Sequence, residues 1–218
     1  MKITIITDNA RSWFIPYGLE LQKQLQARGH QVSYVHAHKN IPEGDICFVL
    51  SCVKLLKAQY LLRNKSNIIV HASDLPAGRG WSPLQWQVLE NKDTIPLTLI
   101  EAASGADEGP YYLKSKIKLD GSELLPRLRQ KMAQEIIKMC LRYVAKRKEL
   151  KAIKQTGKPS SFRRRESKDD EINIDQSIRK IFNQLRIADN DRHPVYFRHL
   201  GKKYFIKIYD HNDLPGHK

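Results

Sequence analysis

Apolar residues recur along the first half of the chain with a period that switches back and forth between two and about four. Lys2 to Thr7 is an apolar, β-branched run, which predicts a strand. Trp13 to Arg28 carries Phe14, Tyr17, Leu19, Leu21 and Leu25 at helical spacing, and Gly29 stands where that helix should stop. Gln31 to His36 alternates, and Ile46 to Leu50 is short and wholly apolar, so both predict strands. Val53 to Leu62 reads as a short helix and Asn67 to His71 as another apolar strand. Pro83 opens a helix through Trp86, Val88 and Leu89, with proline in the first turn, where its missing N–H costs nothing. Ile95 to Ile100 is a further strand, Tyr111 to Leu119 an added one, and Ser122, with Glu123 close behind, starts a long helix to about Ile153. Strands separated by helices predict an α/β fold built on a doubly wound, mostly parallel, Rossmann-like sheet. Such sheets bind ligands beyond the carboxyl ends of their strands. His71 and the loop after it stand there.

The pattern breaks at Thr156-Gly157-Lys158-Pro159-Ser160-Ser161, a linker by composition. Four segments follow from this: a core domain over 1–155, a basic-then-acidic linker over 156–172, a helix-plus-hairpin appendage over 173–210 and a tail over 211–218. In the appendage, Ile174, Ile178, Ile181, Phe182 and Leu185 form a helical stripe. Val195 to His199 and Lys203 to Tyr209 read as a hairpin turning at Leu200-Gly201-Lys202. Ile178, Ile181, Phe182, Tyr196, Phe197 and Phe205 carry too much apolar surface to leave in water, so the segment Arg163 to Glu171 and the C-terminal hairpin are expected to pack back on the sheet domain.

Composition narrows the classes. The 218 residues are 41% apolar, yet no apolar run is long enough to span a bilayer, and the N-terminus lacks the order of a signal peptide. The three cysteines, Cys47, Cys52 and Cys140, are odd in number and form no CxxC pair, which fits a cytoplasmic protein without disulfides. The eight histidines show no zinc spacing, so no metal is expected. The net charge of +15 falls largely in Arg142, Lys146, Arg147, Lys148, Lys151, Lys154, Lys158 and Arg163-Arg164-Arg165. That stretch is either a solvated helix face and linker or a phosphate site.

The chemistry concentrates in His71-Ala72-Ser73-Asp74-Leu75-Pro76-Ala77-Gly78-Arg79-Gly80-Trp81-Ser82-Pro83, then a strand, then Asp107-Glu108-Gly109. A histidine at one strand end and a carboxylate at the neighbouring end can meet, and the carboxylate would orient the imidazole for acid–base work. An arginine can clamp a pyrophosphate and a tryptophan can stack on a base, which makes Trp13, Arg79, Trp81 and Arg163 candidates for substrate binding.

These segments resemble the formyltetrahydrofolate-dependent formyltransferases, which act on methionyl-tRNA, glycinamide ribonucleotide or amino sugars. Their pattern, Asn-x-His-x-Ser-x-Leu-Pro-x-x-Arg-Gly followed by a strand and Asp-x-Gly, is met at His71, Ser73, Leu75, Pro76, Arg79, Gly80, Asp107 and Gly109. The resemblance covers roughly the first two-thirds of the chain. It implies that His71 and Asp107 are catalytic and that 10-formyltetrahydrofolate is the co-substrate, with no metal. By position it implies that Ser51, Cys52 and Val53, with Ala102, Ala103, Ser104, Gly105 and Ala106, hold the pterin. Ser12-Trp13-Phe14, Glu43 to Phe48, Arg79 to Pro83, Leu185 to Asp191 and the Arg-Arg stretch before Asp169-Asp170 look like a narrower group, the sugar N-formyltransferases. That likeness implies formylation of a nucleotide-linked amino sugar, a UDP-4-amino-4,6-dideoxy sugar of the pseudaminic acid type, for surface glycan synthesis.

One departure bears on mechanism. The family's catalytic asparagine lies two positions before the histidine, where this chain has Ile69. Losing an oxyanion donor typically costs about a hundredfold to a thousandfold in rate. Ser51 is a candidate replacement, or an ordinary strand-end hydroxyl. Two rival functions remain: a methionyl-tRNA formyltransferase-like enzyme, favoured by the charge, and a non-catalytic binding protein on the same fold, favoured by Ile69. The expected partners are the sugar nucleotide and the folate donor, not nucleic acid or membrane, and a homodimer is allowed.

Overall fold

In the computed structural model, which describes residues 1–211, six strands form the central sheet. They are β1 (Lys2–Ile6), β2 (Gln31–Val35), β3 (Gly44–Val49), β4 (Asn64–His71), β6 (Thr94–Glu101) and β7 (Tyr111–Lys118). Their order is β2-β1-β3-β4-β6-β7. The first four run parallel, joined by α1 (Ile15–Gln26) and the short α2 (Ala58–Leu61). β6 is antiparallel to β4, and β7 to β6. The sheet is therefore Rossmann-like and parallel through β4, then reverses.

The core lies on both faces. Ile3, Ile5 and Phe48 pack with Leu21 and Leu25 of α1, and with Leu128, Ile136 and Cys140 of α4 (Leu125–Lys146). On the opposite face Ile6, Ile41, Cys47, Val49 and Leu56 form a smaller cluster. Removing such side chains from water, at about 25 cal/mol per Å², drives the assembly of these layers. Among the described residues no helix is long and apolar enough to cross a membrane.

Several element boundaries differ from the periodicity, each for a local reason. Only Ala58–Leu61 of the expected Val53–Leu62 helix is helical, because the N–H groups of Val53 and Lys54 go to the Asp8 carboxylate at 2.8 Å each. α1 starts at Ile15, not Trp13. α4 starts at Leu125 because Glu123 is spent on the preceding turn, accepting from Asp120 N–H and Gly121 N–H. It ends at Lys146, and Ile153 instead exchanges backbone hydrogen bonds with Tyr111.

Residues 156–172, a linker by composition, are held to the core. β8 (Ser161–Phe162) pairs with β5 (Arg79–Gly80), Gly78 N–H donates to Ser160 Oγ at 2.9 Å, and Trp86 Nε1–H donates to the Arg163 carbonyl at 2.9 Å. Trp86 lies in α3 (Pro83–Leu89), the helix between β5 and β6.

Beyond this strap come α5 (Ile178–Arg186) and the hairpin β9 (Val195–His199) and β10 (Lys202–Ile206). They enclose a satellite core of Ile172, Ile181, Leu185, Ala188 and Val195, with Phe182 and Phe197 at its edge. The expected burial fails at Ile178 and Phe205, which are 69% and 59% exposed: one opens α5 and the other lies on the outer strand of the hairpin. Polar contacts dock the appendage. Arg186 and Glu123 are 3% and 4% exposed and pair at 3.2 Å, and Lys131 also grips Glu123. Burial works to raise the Glu123 carboxyl, yet Lys131 and the turn N–H groups hold it below its ordinary value. Residues 212–218 of the expected tail lie outside the described residues.

Glu123→Ala strands a buried guanidinium and removes the turn's two acceptors. It is expected to destabilise the protein by about 3–5 kcal/mol, the usual cost of breaking one side of a buried pair. Denaturant unfolding measures this, and a loss below about 1 kcal/mol would show the pair to be incidental.

Candidate active site

β4 carries His71 to its carboxyl end, and the loop 72–81 folds back over it. His71 is buried, and its Nε2 lies 2.8 Å from the Gly78 carbonyl oxygen. A carbonyl only accepts, so Nε2 carries the hydrogen. Nδ1 then faces Asp107 Oδ1 at 3.4 Å. A neutral ring with its hydrogen on Nε2 offers a lone pair to that carboxylate, and the contact becomes a hydrogen bond when one proton sits between them. The pair is thus built to hold a proton at one place, between Nδ1 and Oδ1.

Asp107 does not arrive from a neighbouring strand end, as expected. In the antiparallel pairing His71 lies opposite Thr98 and Ile68 opposite Glu101, so β6 ends away from His71. The loop 102–110 carries Asp107 back. Asp107 takes a left-handed conformation with φ +55°, its Oδ2 accepts Gly80 N–H at 2.9 Å, and its carbonyl accepts from Gln155 Nε2 at 2.8 Å. Gly109 closes the loop, because a Cβ there would run into the Glu101 carbonyl. This is a physical reason for the glycine of Asp-x-Gly.

The His71–Asp107 pair opens on a cavity of about 460 Å³. Ser51, Cys52 and Val53 line one side, and Ala102, Ala103, Gly105 and Ala106 another, while Ser104 is not on the wall. Trp13 and Trp81 also line it; Arg79 and Arg163 do not. Arg79 is turned to Glu108 at 3.2 Å and Gln155 at 3.0 Å, so it braces the Asp107 loop. Arg163 pairs with Asp169 and stands 4.9 Å over the Trp86 ring. Both candidate arginines turn their terminal nitrogens to protein groups, away from the cavity.

Cys52 is no nucleophile: burial pushes its thiol above the ordinary range, with the nearby Asp8 charge adding to the effect. Ser51, with φ +54°, shares a hydrogen bond with Ser12 Oγ at 2.9 Å. Ile69 reaches the cavity and packs against the cluster of Ile6, Cys47, Val49 and Leu56. Among the described residues no group of three or more His, Cys, Asp or Glu is placed to share a metal ion.

Three participants had weaker signals or none. Asp8, just past β1, shapes the Ser51–Leu56 wall through the Val53 and Lys54 N–H groups, and its place after a parallel strand could have marked it. Gln155 braces Asp107 from a stretch with no motif. Arg129, in mid-α4, lines the cavity and had no sequence signal either.

Against solved structures, the chain superimposes on methionyl-tRNA formyltransferase from Clostridium thermocellum with a TM-score of 0.81 and 20% identity, over 95% of this chain and 92% of that one. The fold is the formyltransferase fold. The same fold relates the chain to a 4-N formyltransferase from Francisella tularensis, with a TM-score of 0.73 and 17% identity over 95% and 96% of the two chains. HypX from Aquifex aeolicus, solved in complex with tetrahydrofolic acid, matches with a TM-score of 0.79 and 15% identity over 95% of this chain and 37% of that one. In sequence, the methionyl-tRNA formyltransferase of Thermodesulfovibrio yellowstonii is 29% identical over 145 residues, 65% of this chain and 47% of the relative. The chain thus spans about half the length of the curated formyltransferases it matches. No protein-family model matches the chain.

The formyltransferase fold makes Ile69 a sharp test. The wall around it is apolar, so Ile69→Asn would place an amide with no partner there. A loss of about 1–3 kcal/mol is expected, with no gain in turnover. A rise in turnover at unchanged melting temperature would mean that an amide donor is what this site lacks.

Proposed function

We propose that the protein transfers a formyl group from 10-formyltetrahydrofolate to the amine of a nucleotide-linked amino sugar. The observation that carries this is the His71–Asp107 pair on the wall of a cavity flanked by two loops of small residues. Ala102, Ala103, Gly105 and Ala106 allow a flat ring to approach backbone N–H and C=O groups closely, which suits a pterin. The residues therefore fit the co-substrate. When bound, it supplies the formyl carbon that the amine attacks. Asp107 and His71 take the proton that the amine gives up as the new C–N bond forms, and hold it between Oδ1 and Nδ1. They return it to the nitrogen that leaves. Gly80 N–H and the Gly78 carbonyl keep both side chains in place meanwhile.

Within this reading the acceptor is a UDP-4-amino-4,6-dideoxy sugar for surface glycan synthesis. It is supported by the segments that resemble the sugar enzymes and by Trp13 and Trp81, two rings on the cavity wall that a base can stack on. Methionyl-tRNA is the second reading, favoured by the curated relatives and by the +15 charge. We infer a cytoplasmic enzyme that can pair as a homodimer.

A mass-spectrometric screen of nucleotide-linked amino sugars with 10-formyltetrahydrofolate separates the readings. A product heavier by one formyl group on a sugar nucleotide supports the first, and formylation of methionyl-tRNA alone replaces it. His71→Ala and Asp107→Asn are each expected to fold and to lose about a hundredfold in turnover or more. A folded variant of either residue with near wild-type turnover removes that residue from the mechanism.

A further inference from the structure

Arg129 is a cation that the proton-transfer chemistry leaves unused. It lies on α4 with Met132 and Ile136, at helical spacing, and all three line the cavity. Its guanidinium stands 5.6 Å over the Trp13 ring, and Nη2 is 3.0 Å from Asp189. Nε is buried and has no acceptor among the described residues. Burial draws the Arg129 guanidinium below its ordinary range against the pull of Asp189.

Beside the Cys52 thiol, which burial keeps neutral, the ionisable groups on the cavity wall are Lys54, His71, Asp107 and Arg129. Asp107 is already engaged by His71 and Gly80 N–H, so the charge left for a ligand is positive. A guanidinium that merely bridged α4 to the appendage would need only Asp189. This one also lines the cavity, which sets it apart from Arg79 and Arg165, whose Nε atoms are likewise without an acceptor. In a partly desolvated site, a carboxylate or phosphate oxygen beside it makes a strong charge-assisted hydrogen bond.

Asp189 is itself fixed. Its Oδ1 accepts the N–H groups of Asp191 and Arg192 at 3.3 and 3.2 Å, and the Arg192 side chain donates to the Arg11 carbonyl near Trp13. The appendage thus reaches the cavity through one carboxylate.

We infer that Arg129 anchors an oxyanion, carboxylate or phosphate, of a small molecule bound in the cavity, and that Asp189 is the positioning residue that holds it there. This rests on the reading of the cavity as a substrate site. The oxyanion comes either from the glutamate of the folate or from the diphosphate of a nucleotide.

Calorimetry with paired probes tests this: tetrahydrofolate against its neutral tetrahydropteroyl methylamide, and UDP against uridine. Arg129→Met is expected to weaken tetrahydrofolate or UDP by about tenfold or more and leave the neutral counterpart within about twofold. Which anion is lost names the source. Asp189→Asn should give the same selective pattern, more weakly, and a merely structural role would weaken both members of a pair alike. Arg129→Gln, which removes the charge but keeps a polar stem, gives the same comparison if the methionine variant does not fold. Wild-type affinities for both anions in a folded Arg129→Met protein overturn the inference, as does equal loss of the neutral probes. Wild-type protein that binds neither anion also overturns it. Failure to bind the pteroyl amide, with Arg129-dependent UDP binding intact, counts instead against the folate reading alone.

Discussion

The hydrogen bond from His71 Nε2 to the Gly78 carbonyl sets the rest of the site. It fixes which ring nitrogen bears hydrogen, and so leaves Nδ1 as the nitrogen that meets Asp107. It also requires the loop 72–81 to be closed, because Gly78 lies seven residues along from the histidine it caps. That closure has its own supports. Thr98 Oγ1 donates to the Ser73 carbonyl at 2.6 Å, and Ser160 Oγ accepts Gly78 N–H. Gly80 can have no side chain, since a Cβ would sit 2.6 Å from the Phe162 carbonyl. The imidazole is therefore oriented partly from residues about ninety positions away, in a stretch whose composition looks like a linker.

The reversal of the sheet at β6 explains why the Asp-x-Gly loop is shaped as it is. A parallel β6 would deliver Asp107 beside His71 from its own carboxyl end. An antiparallel β6 ends near Ile68, and the chain must climb back along the sheet before entering β7. The climb needs a left-handed aspartate, a glycine packed on the Glu101 carbonyl, and outside bracing by Gln155 and Arg79. Strain and external support at one carboxylate are what a fixed proton-holding geometry requires.

Local rules carried the strands and long helices well, because β-branched runs and helical stripes report burial directly. Strand direction was not legible: the run Ile95 to Ile100 is equally apolar whichever way it points. Helix ends were misplaced where a distant side chain competed for backbone N–H groups, as Asp8 does at Val53 and Lys54. His71 and Asp107 stood out through spacing in a motif, and the structure brings the two together. Arg79 and Arg163 looked like ligand clamps because an arginine's partner is invisible in sequence. Here the partners are Glu108, Gln155 and Asp169. Arg129 was missed for the same reason in reverse, since mid-helix arginines normally face solvent.

Charge location follows from these pairings. Four acidic residues of the second half are committed to basic partners: Glu123 to Arg186 and Lys131, Asp169 to Arg163, Asp170 to Arg165, Asp189 to Arg129. Each pair ties the strap or the appendage to itself or to α4. Arg163 is exposed, but the pairs of Glu123, Asp170 and Asp189 lie largely out of water; such pairs add little net stability, because desolvation offsets most of the attraction, but a wrong partner would leave a bare charge inside. They select one docking geometry for the appendage. In that geometry Asp189 holds Arg129 at the cavity wall and the strap holds the loop over His71. The segments beyond the sheet thus constrain both ends of the same cavity, and a truncation at the apparent linker would remove parts of the site together with the appendage.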